Sequence, residues 1–311
     1  MNLTILQFDT LAYLDDKNIS YITSGKDVTQ GWIGISCPFC NDSGNHLGIH
    51  MESNVLSCWK CGPHGNVSNL VQEVEQCNFP QALQIMEQYQ DSSRLNNYIP
   101  EEKIRQKVLT TPKSYKRLQW GKNVLSSIIK FLESRDFPAK EYIGRNELYY
   151  GGFVGDMKFR IIFPVYFHRR LVTFVGRDIT GKSNIPYLAL EEEKSVYPTK
   201  ELLYGYDDVA PGSVIPVVEG IIDQQKLGKG SVATFGTAWK IEQVSLLRQL
   251  YPRKIVILYD SEEEAQKQAI ALSHYIWFCE SEVIMLEEVN DPGELTLEQG
   301  KELMNNLQRW G

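Results

Sequence analysis

The best-defined chemistry in this 311-residue chain belongs to four cysteines. Cys37 and Cys40 stand in "CPFC", Cys58 and Cys61 stand in "CWKC", and 17 residues separate the two pairs. Each CxxC pair forms a tight knuckle offering two thiolates, and four thiolates close the tetrahedral shell of a structural Zn²⁺ site. The spacer reads as a hairpin, with "HLGIHM" and "VLSCW" flanking a turn at Glu52-Ser53-Asn54, so the segment predicts a zinc ribbon. His46, His50 and His64 fall nearby. Because four thiolates already satisfy the ion, these rings are expected on the surface or beside the ligands. Cys77 and Cys279 lack a CxxC partner and read as small buried hydrophobes.

A second set of residues is acidic. In "VIPVVEGIIDQQKLG", Val214 to Gly228, an aliphatic run ends on Glu219 and Gly220, and Asp223 follows one helical turn later. A continuous apolar run reads as a strand covered on both faces, and the residue past its C-terminal end sits where such sheets bind ligands. Taken alone, Glu219 fits equally well as an acid at a helix N-terminus. Its company decides. "YDSE" puts Asp260 and Glu262 after another aliphatic run, and "NDPGE" puts Asp291 after a further one. Carboxylates crowded at neighbouring strand ends repel unless a cation joins them, and hard oxygen ligands suit Mg²⁺ or Mn²⁺ held with substrate phosphates.

The elements that must position these groups follow from the same pattern. From Ser213 onward strand and helix alternate: "VIPVV", "IIDQQKLG", "SVATF", "WKIEQVSLLRQLY", "KIVILY", "EEEAQKQAIALSHYIWF", "SEVIMLE". That order predicts a small parallel sheet flanked by helices, an α/β module over 213–311. After the ribbon, "VSNLVQEVEQC" and "PQALQIMEQYQ" have helical spacing and close a first domain over 1–92. The polar stretch 93–114 reads as a linker. Between them, 115–212 carries two short amphipathic helices, "NVLSSIIKFLESRDF" and "PAKEYIGR", and then β-rich "MKFRIIFPVYFHRRLVTFVGR", broken by a basic turn at His168–Arg170.

Charge is distributed unevenly. From Lys103 to Arg177 there are 16 Lys/Arg against 5 Asp/Glu, a balance of +11, which leaves 16 against 34, or −18, elsewhere in a chain of net charge −7. Basic residues interleaved with aromatics suit single-stranded nucleic acid, cations tracking phosphates and rings stacking on bases. Most of the aromatics, Phe163, Tyr166 and Phe167 among them, are better read as core. No stretch approaches a membrane span, the N-terminus lacks the pattern of a signal peptide, and paired CxxC cysteines fit a reducing compartment, so a cytoplasmic protein is expected.

With these residues assembled, the chain resembles the DnaG-type DNA primase family and is expected to be a phage-encoded member of it. "CPFC…CWKCGPHGN" is similar to the family's zinc ribbon; "VVEGIIDQQKLG", "FGT" and "ILYDSEEEA" resemble its Toprim sheet. "FLESRDF", "RIIFPVYF", "FVGRD", "KELLYG" and "NDPGELTLEQGKE" resemble successive motifs of its RNA polymerase domain, in the family's order. The resemblance implies that Arg135, Arg160, Arg177 and Lys200 line a template and nucleotide groove. It further implies that Glu219 is a general base or metal-linked glutamate, and that Asp260, Glu262 and Asp291 are metal ligands.

Several positions depart from the family pattern. Its DGD is here Asp260-Ser261-Glu262, its DPD is Asp291-Pro292-Gly293 with Glu294 as a replacement acid, and Pro186 stands where a lysine is usual. Cys40 occupies a position that is histidine in many relatives. Neither the helicase-binding domain of bacterial relatives nor the fused helicase of some phage enzymes is expected. The resemblance implies synthesis of short RNA primers on single-stranded DNA from ribonucleoside triphosphates, with a replicative helicase as partner. Two alternatives stay open: a non-catalytic primase-like DNA-binding protein, motivated by the altered acids, and a Toprim nuclease, which shares them.

Overall fold

The computed structural model describes residues 7–25, 28–29, 31–51, 54–91 and 108–309. Glu52 and Ser53 of the expected hairpin turn, and residues 93–107 of the expected linker, lie outside the described residues. The strands, in chain order, are β1 (Gln7–Phe8), β2 (Tyr21–Ile22), β3 (Trp32–Cys37), β4 (Asp42–His50), β5 (Val55–Cys58), β6 (Gly62–Asn66), β7 (Gln90–Asp91), β8 (Lys116–Arg117), β9 (Tyr149–Tyr150), β10 (Arg160–Phe167), β11 (Arg170–Asp178), β12 (Tyr187–Ala189), β13 (Val214–Val218), β14 (Val232–Ala233), β15 (Lys254–Leu258) and β16 (Glu280–Val283). Two compact units divide the chain, one comprising 1–98 with 267–283 and the other 99–266 with 284–311. Among the described residues no helix is long and apolar enough to cross a membrane.

The first unit contains the predicted ribbon. Strands β2 to β6 form an antiparallel sheet in sequence order, and the pairing Leu47 with Cys58 and Cys37 with Asp42 brings the two CxxC knuckles to one end. Alternation does the sorting: Ile33, Ile35, Leu47, Ile49 and Leu56 point to one buried face. Each such side chain contributes about 1.5–3 kcal/mol of burial. Both expected helices form, over Val67–Glu75 and Phe79–Met86. They start at Asn66 and Asn78, whose side chains accept backbone N–H groups, and Val67, Leu70, Val71, Ala82 and Met86 close the core.

The second unit holds two sheets. The antiparallel one runs β12-β11-β10-β9-β8. Its central hairpin turns on His168 and Arg169 alone, at φ 50° and 60°, with Phe167 paired to Arg170. Left-handed backbone at two successive non-glycine residues is uncommon, and Asp207 supports it by accepting the Arg169 N–H at 2.7 Å. Phe163 and Phe167 fill the core as expected, whereas Tyr166 is 36% exposed: a register shift between Val165 and Tyr166 turns its hydroxyl outward to Glu147.

The other sheet has, within this unit, the strand order β14-β13-β15. Here β13 pairs in parallel with β15 from Val214 with Lys254 to Val218 with Leu258, and with β14 through Val218 and Ala233. Every residue of β13 is buried, so the run is covered on both faces as its sequence predicts. Because Val218, Leu258 and Ala233 are level with one another, the chain leaves all three strands at one rim. The helices Ile221–Leu227, Ile241–Gln249 and Leu297–Gln308 accompany this sheet.

Candidate active site

Glu219 is the first residue past β13, and its carboxylate is held from two sides. Oε2 accepts the Thr237 hydroxyl at 2.6 Å and Oε1 accepts the Asp260 backbone N–H at 3.1 Å. The strand register explains both contacts, since Thr237 follows β14 and Asp260 follows β15. Glu219 is only 8% exposed, and its backbone carbonyl accepts the Gly236 N–H at 2.7 Å.

Around it lies a pocket of about 440 Å³ whose lining includes Glu219, Asp223, Asp260 and Asp291 together with Arg135 and Arg177. Asp260 is pushed up to about 7, by burial first and then by the charges of Glu219, Asp291 and Glu262. Asp223 is pushed up to about 8, by burial first and then by Asp291, against the stabilising Gly220 N–H at 2.8 Å. Asp291 is also raised, by burial and Glu294, and lowered by Arg135. Acids that resist ionisation together are acids that a cation would relieve. The oxygen donors therefore fit a hard divalent ion. They are not preformed as a tight cage: among the described residues, the four cysteines alone bring three or more ligand atoms within 4.8 Å of one another.

Asp223 was not among the site residues expected from sequence, although its one-turn spacing after Glu219 was visible. Gly293 explains how it fits. A Cβ at residue 293 would stand 2.5 Å from Asp223 Oδ1 and 2.9 Å from Asp291 Oδ1, so the missing side chain is the room the two carboxylates use. Glu294 points elsewhere, accepting the Asn290 backbone and side-chain N–H groups at 2.9 and 3.2 Å.

The remaining expected residues divide. Arg177 stacks its guanidinium 4.6 Å from the centre of the Tyr187 ring, at the pocket wall. Lys200 lies beside the pocket, its ammonium donating to the Ala238 carbonyl at 2.6 Å, and burial lowers its pKa. Glu262 is exposed and outside the lining, felt through its charge on Asp260. Arg160 is not brought to the pocket. It is 6% exposed and donates to the carbonyls of Gly176, Ile185 and Pro186 and to the Ser183 hydroxyl at 2.8–3.2 Å.

In the first unit the expected ligands converge. Cys37 Sγ lies 3.6 Å from Cys61 Sγ, and Cys40 Sγ lies 4.0 Å from Cys58 Sγ. A tetrahedron of thiolates about 2.3 Å from Zn²⁺ has edges of about 3.8 Å, so the donor set fits that ion. His64 sits beside it, Nε2 2.9 Å from Cys61 Sγ and the ring stacked on Phe39 at 3.9 Å. Asp42 binds the Lys60 ammonium and, at 2.5 Å, the His46 ring; these partners, Lys60 foremost, hold its carboxyl down at about 2. Asp42 thus ties the two knuckles together across the hairpin.

A zinc ribbon and a parallel α/β module with clustered acids define the class of protein. Residues 15–98 match the family described as CHC2 zinc finger. The chain is similar to DNA primases of the DnaG type. The DNA primase of Clostridium acetobutylicum is 23% identical, over 87% of this chain and 53% of that protein. That of Borreliella burgdorferi is 34% identical over 33% of this chain and 21% of that protein. The chain spans about half the length of the curated relatives it matches. Two solved structures resemble it at a TM-score of 0.43. The zinc-binding and RNA polymerase domains of Aquifex aeolicus primase share 20% identity, over 96% of this chain and 82% of that one. The primase fragment of bacteriophage T7 primase-helicase shares 13%, over 89% of this chain and 98% of that one.

Proposed function

We propose that this chain joins ribonucleoside triphosphates into short RNA primers on a single-stranded DNA template. One observation carries the reading: four carboxylates, Glu219, Asp223, Asp260 and Asp291, share one pocket with Arg135 and Arg177. The similarity to curated DNA primases supports it. Bound Mg²⁺ or Mn²⁺ would supply the Lewis acidity for displacement at an α-phosphate. Asp260, Asp291 and Asp223 would hold the cation, with Glu262 reaching in from the pocket's edge. Arg135 and Arg177 would bind the triphosphate within the same pocket, and Lys200 would add charge beside it. Glu219, fixed by Thr237 and the Asp260 N–H, is poised to accept a proton or share the cation.

Template binding falls to the basic region. Trp120 and Phe153 are 43% and 63% exposed, and Arg117, Lys122 and Lys158 are exposed close to them in sequence. Rings and cations in that mixture hold single strands without reading their sequence. A replicative helicase in the cytoplasm is the partner such activity calls for. The test is primer synthesis on a panel of short single-stranded templates with Mg²⁺ or Mn²⁺, unaltered protein against Glu219→Gln. Labelled products from the first and none from the second are expected; no product from either on any template sinks the proposal.

The departures at Glu262 and Gly293 favour a binding-only protein as the second reading. It requires DNA binding indifferent to divalent ions and no turnover. Degradation of DNA incubated with metal but without nucleotides would indicate a nuclease instead.

A further inference from the structure

Lys226 is among the most buried residues of the chain, 2% exposed, and nothing in the proposed chemistry uses it. Sequestering an ammonium is costly unless its surroundings replace water. Its ammonium donates to the Arg135 carbonyl and lies 4.6 Å from the centre of the Phe137 ring, with the charge of Asp136 nearby. The residues it grips are consecutive and form a corner. Asp136 has φ 53°, left-handed backbone that a side chain disfavours, and its Oδ2 accepts the Leu297 N–H at 2.8 Å. Arg135 leaves this corner to line the pocket.

Lys226 also follows Asp223 by three residues on the helix Ile221–Leu227. Residues so spaced share a helix face. One helix therefore contributes an acid to the pocket lining and fastens the backbone from which the Arg135 guanidinium extends. The helix is itself seated tightly: a Cβ at Gly300 would stand 2.4 Å from the Lys226 carbonyl oxygen. We infer that Lys226 is a positioning residue for Arg135, setting where its guanidinium stands relative to Asp223 in the pocket lining and thereby the fit of a nucleoside triphosphate. The ligand named here rests on the proposed function; the geometry does not.

The experiment is a double-mutant cycle on ATP binding with Mg²⁺, measured by calorimetry on the full chain. Lys226→Met and Arg135→Ala are each expected to weaken binding about tenfold, and the double variant no more than Arg135→Ala alone. A double variant weakened by the product of the two effects, or Lys226→Met binding as the unaltered chain does, would overturn the inference. Should Lys226→Met fail to fold, Phe137→Leu, which removes the ring face below the ammonium, enters the same cycle. The Arg135 Nε–H resonance of ¹⁵N-labelled protein gives a readout free of ligand. It is expected to shift in the Lys226 or Phe137 variant but not in Lys301→Ala, and an unshifted resonance overturns positioning. If the unaltered chain binds no ATP while the resonance shifts, the functional reading fails and the positioning role stands.

Discussion

The backbone N–H of Asp260 donates to Glu219 Oε1 at 3.1 Å, so the ends of two neighbouring parallel strands are fastened to each other by the residue that closes one of them. A glutamate held this way has little freedom to turn from the pocket. Replacing it with glutamine keeps the volume and removes the charge. Glu219→Gln should lower primer synthesis by at least about 100-fold, in the range of a lost acid–base group, with the thermal midpoint nearly unchanged. Thr237→Ala, which releases the other oxygen, should cost roughly tenfold. Equal activity in all three proteins would dismiss the site.

Acid pairing gives a pH signature. Asp223 and Asp260 are raised to about 8 and about 7 from an ordinary value of 3.8, so the folded chain retains protons that the unfolded chain has lost. That contribution is complete below about pH 4 and disappears as pH rises through 7 to 8, so stability without divalent ions should fall across that window. Asp223→Asn should flatten the fall, and Mn²⁺ should reverse it above pH 7. Melting curves from pH 5 to 9, with and without Mn²⁺, measure both effects. A midpoint rising with pH in metal-free buffer would contradict the raised values.

Gly293 should tolerate nothing larger. With a Cβ only 2.5 Å from Asp223 Oδ1 and 2.9 Å from Asp291 Oδ1, Gly293→Ala must displace a carboxylate. Mn²⁺ affinity is expected to drop about tenfold, as for other disturbances around metal ligands. Gly293→Asp, which restores the family's second acid, should weaken binding too. Tighter Mn²⁺ binding by Gly293→Asp, read by titration calorimetry, would show that Asp223 yields readily.

Arg160 is a stability residue on this geometry. Arg160→Met removes four hydrogen bonds, although the Pro186 carbonyl keeps the Asp178 N–H and the Ile185 carbonyl keeps the Ser183 hydroxyl. A loss of about 2–3 kcal/mol in denaturant titration is expected, with ATP affinity of the folded fraction unchanged. A stable variant that binds ATP poorly would return Arg160 to the groove.

These cases show what was legible in the chain. The zinc ligands, the strand–helix alternation and the exit of Glu219 from an aliphatic run are local patterns, and they appear as read. Arg160 lies away from the pocket because its burial depends on the loop at Ser183–Pro186 lying over it, which no periodicity announces. The His168-Arg169 turn lacks glycine and asparagine, and its support comes from Asp207, 38 residues on. Asp223 is half-legible: its spacing from Glu219 is plain in the chain, but the space made by Gly293 arises only in the fold.

Removing the ribbon's ion should be felt locally. Chelation, or Cys58→Ser, is expected to abolish the cooperative melting of the first unit, since four thiolates without a cation cannot stay clustered. Bound zinc assayed colorimetrically should fall to zero with it. Retention of that transition after chelation would mean that the apolar core of the ribbon suffices.

The level alignment of Val218, Leu258 and Ala233 also bears on how such a chain can change over generations. Side chains alternate along a strand, so inserting or deleting one residue within Val214–Val218 would swing Glu219 to the opposite side of its strand. Point changes among these aliphatics would be absorbed; changes of length would not. The segment is thus permissive in composition and strict in count.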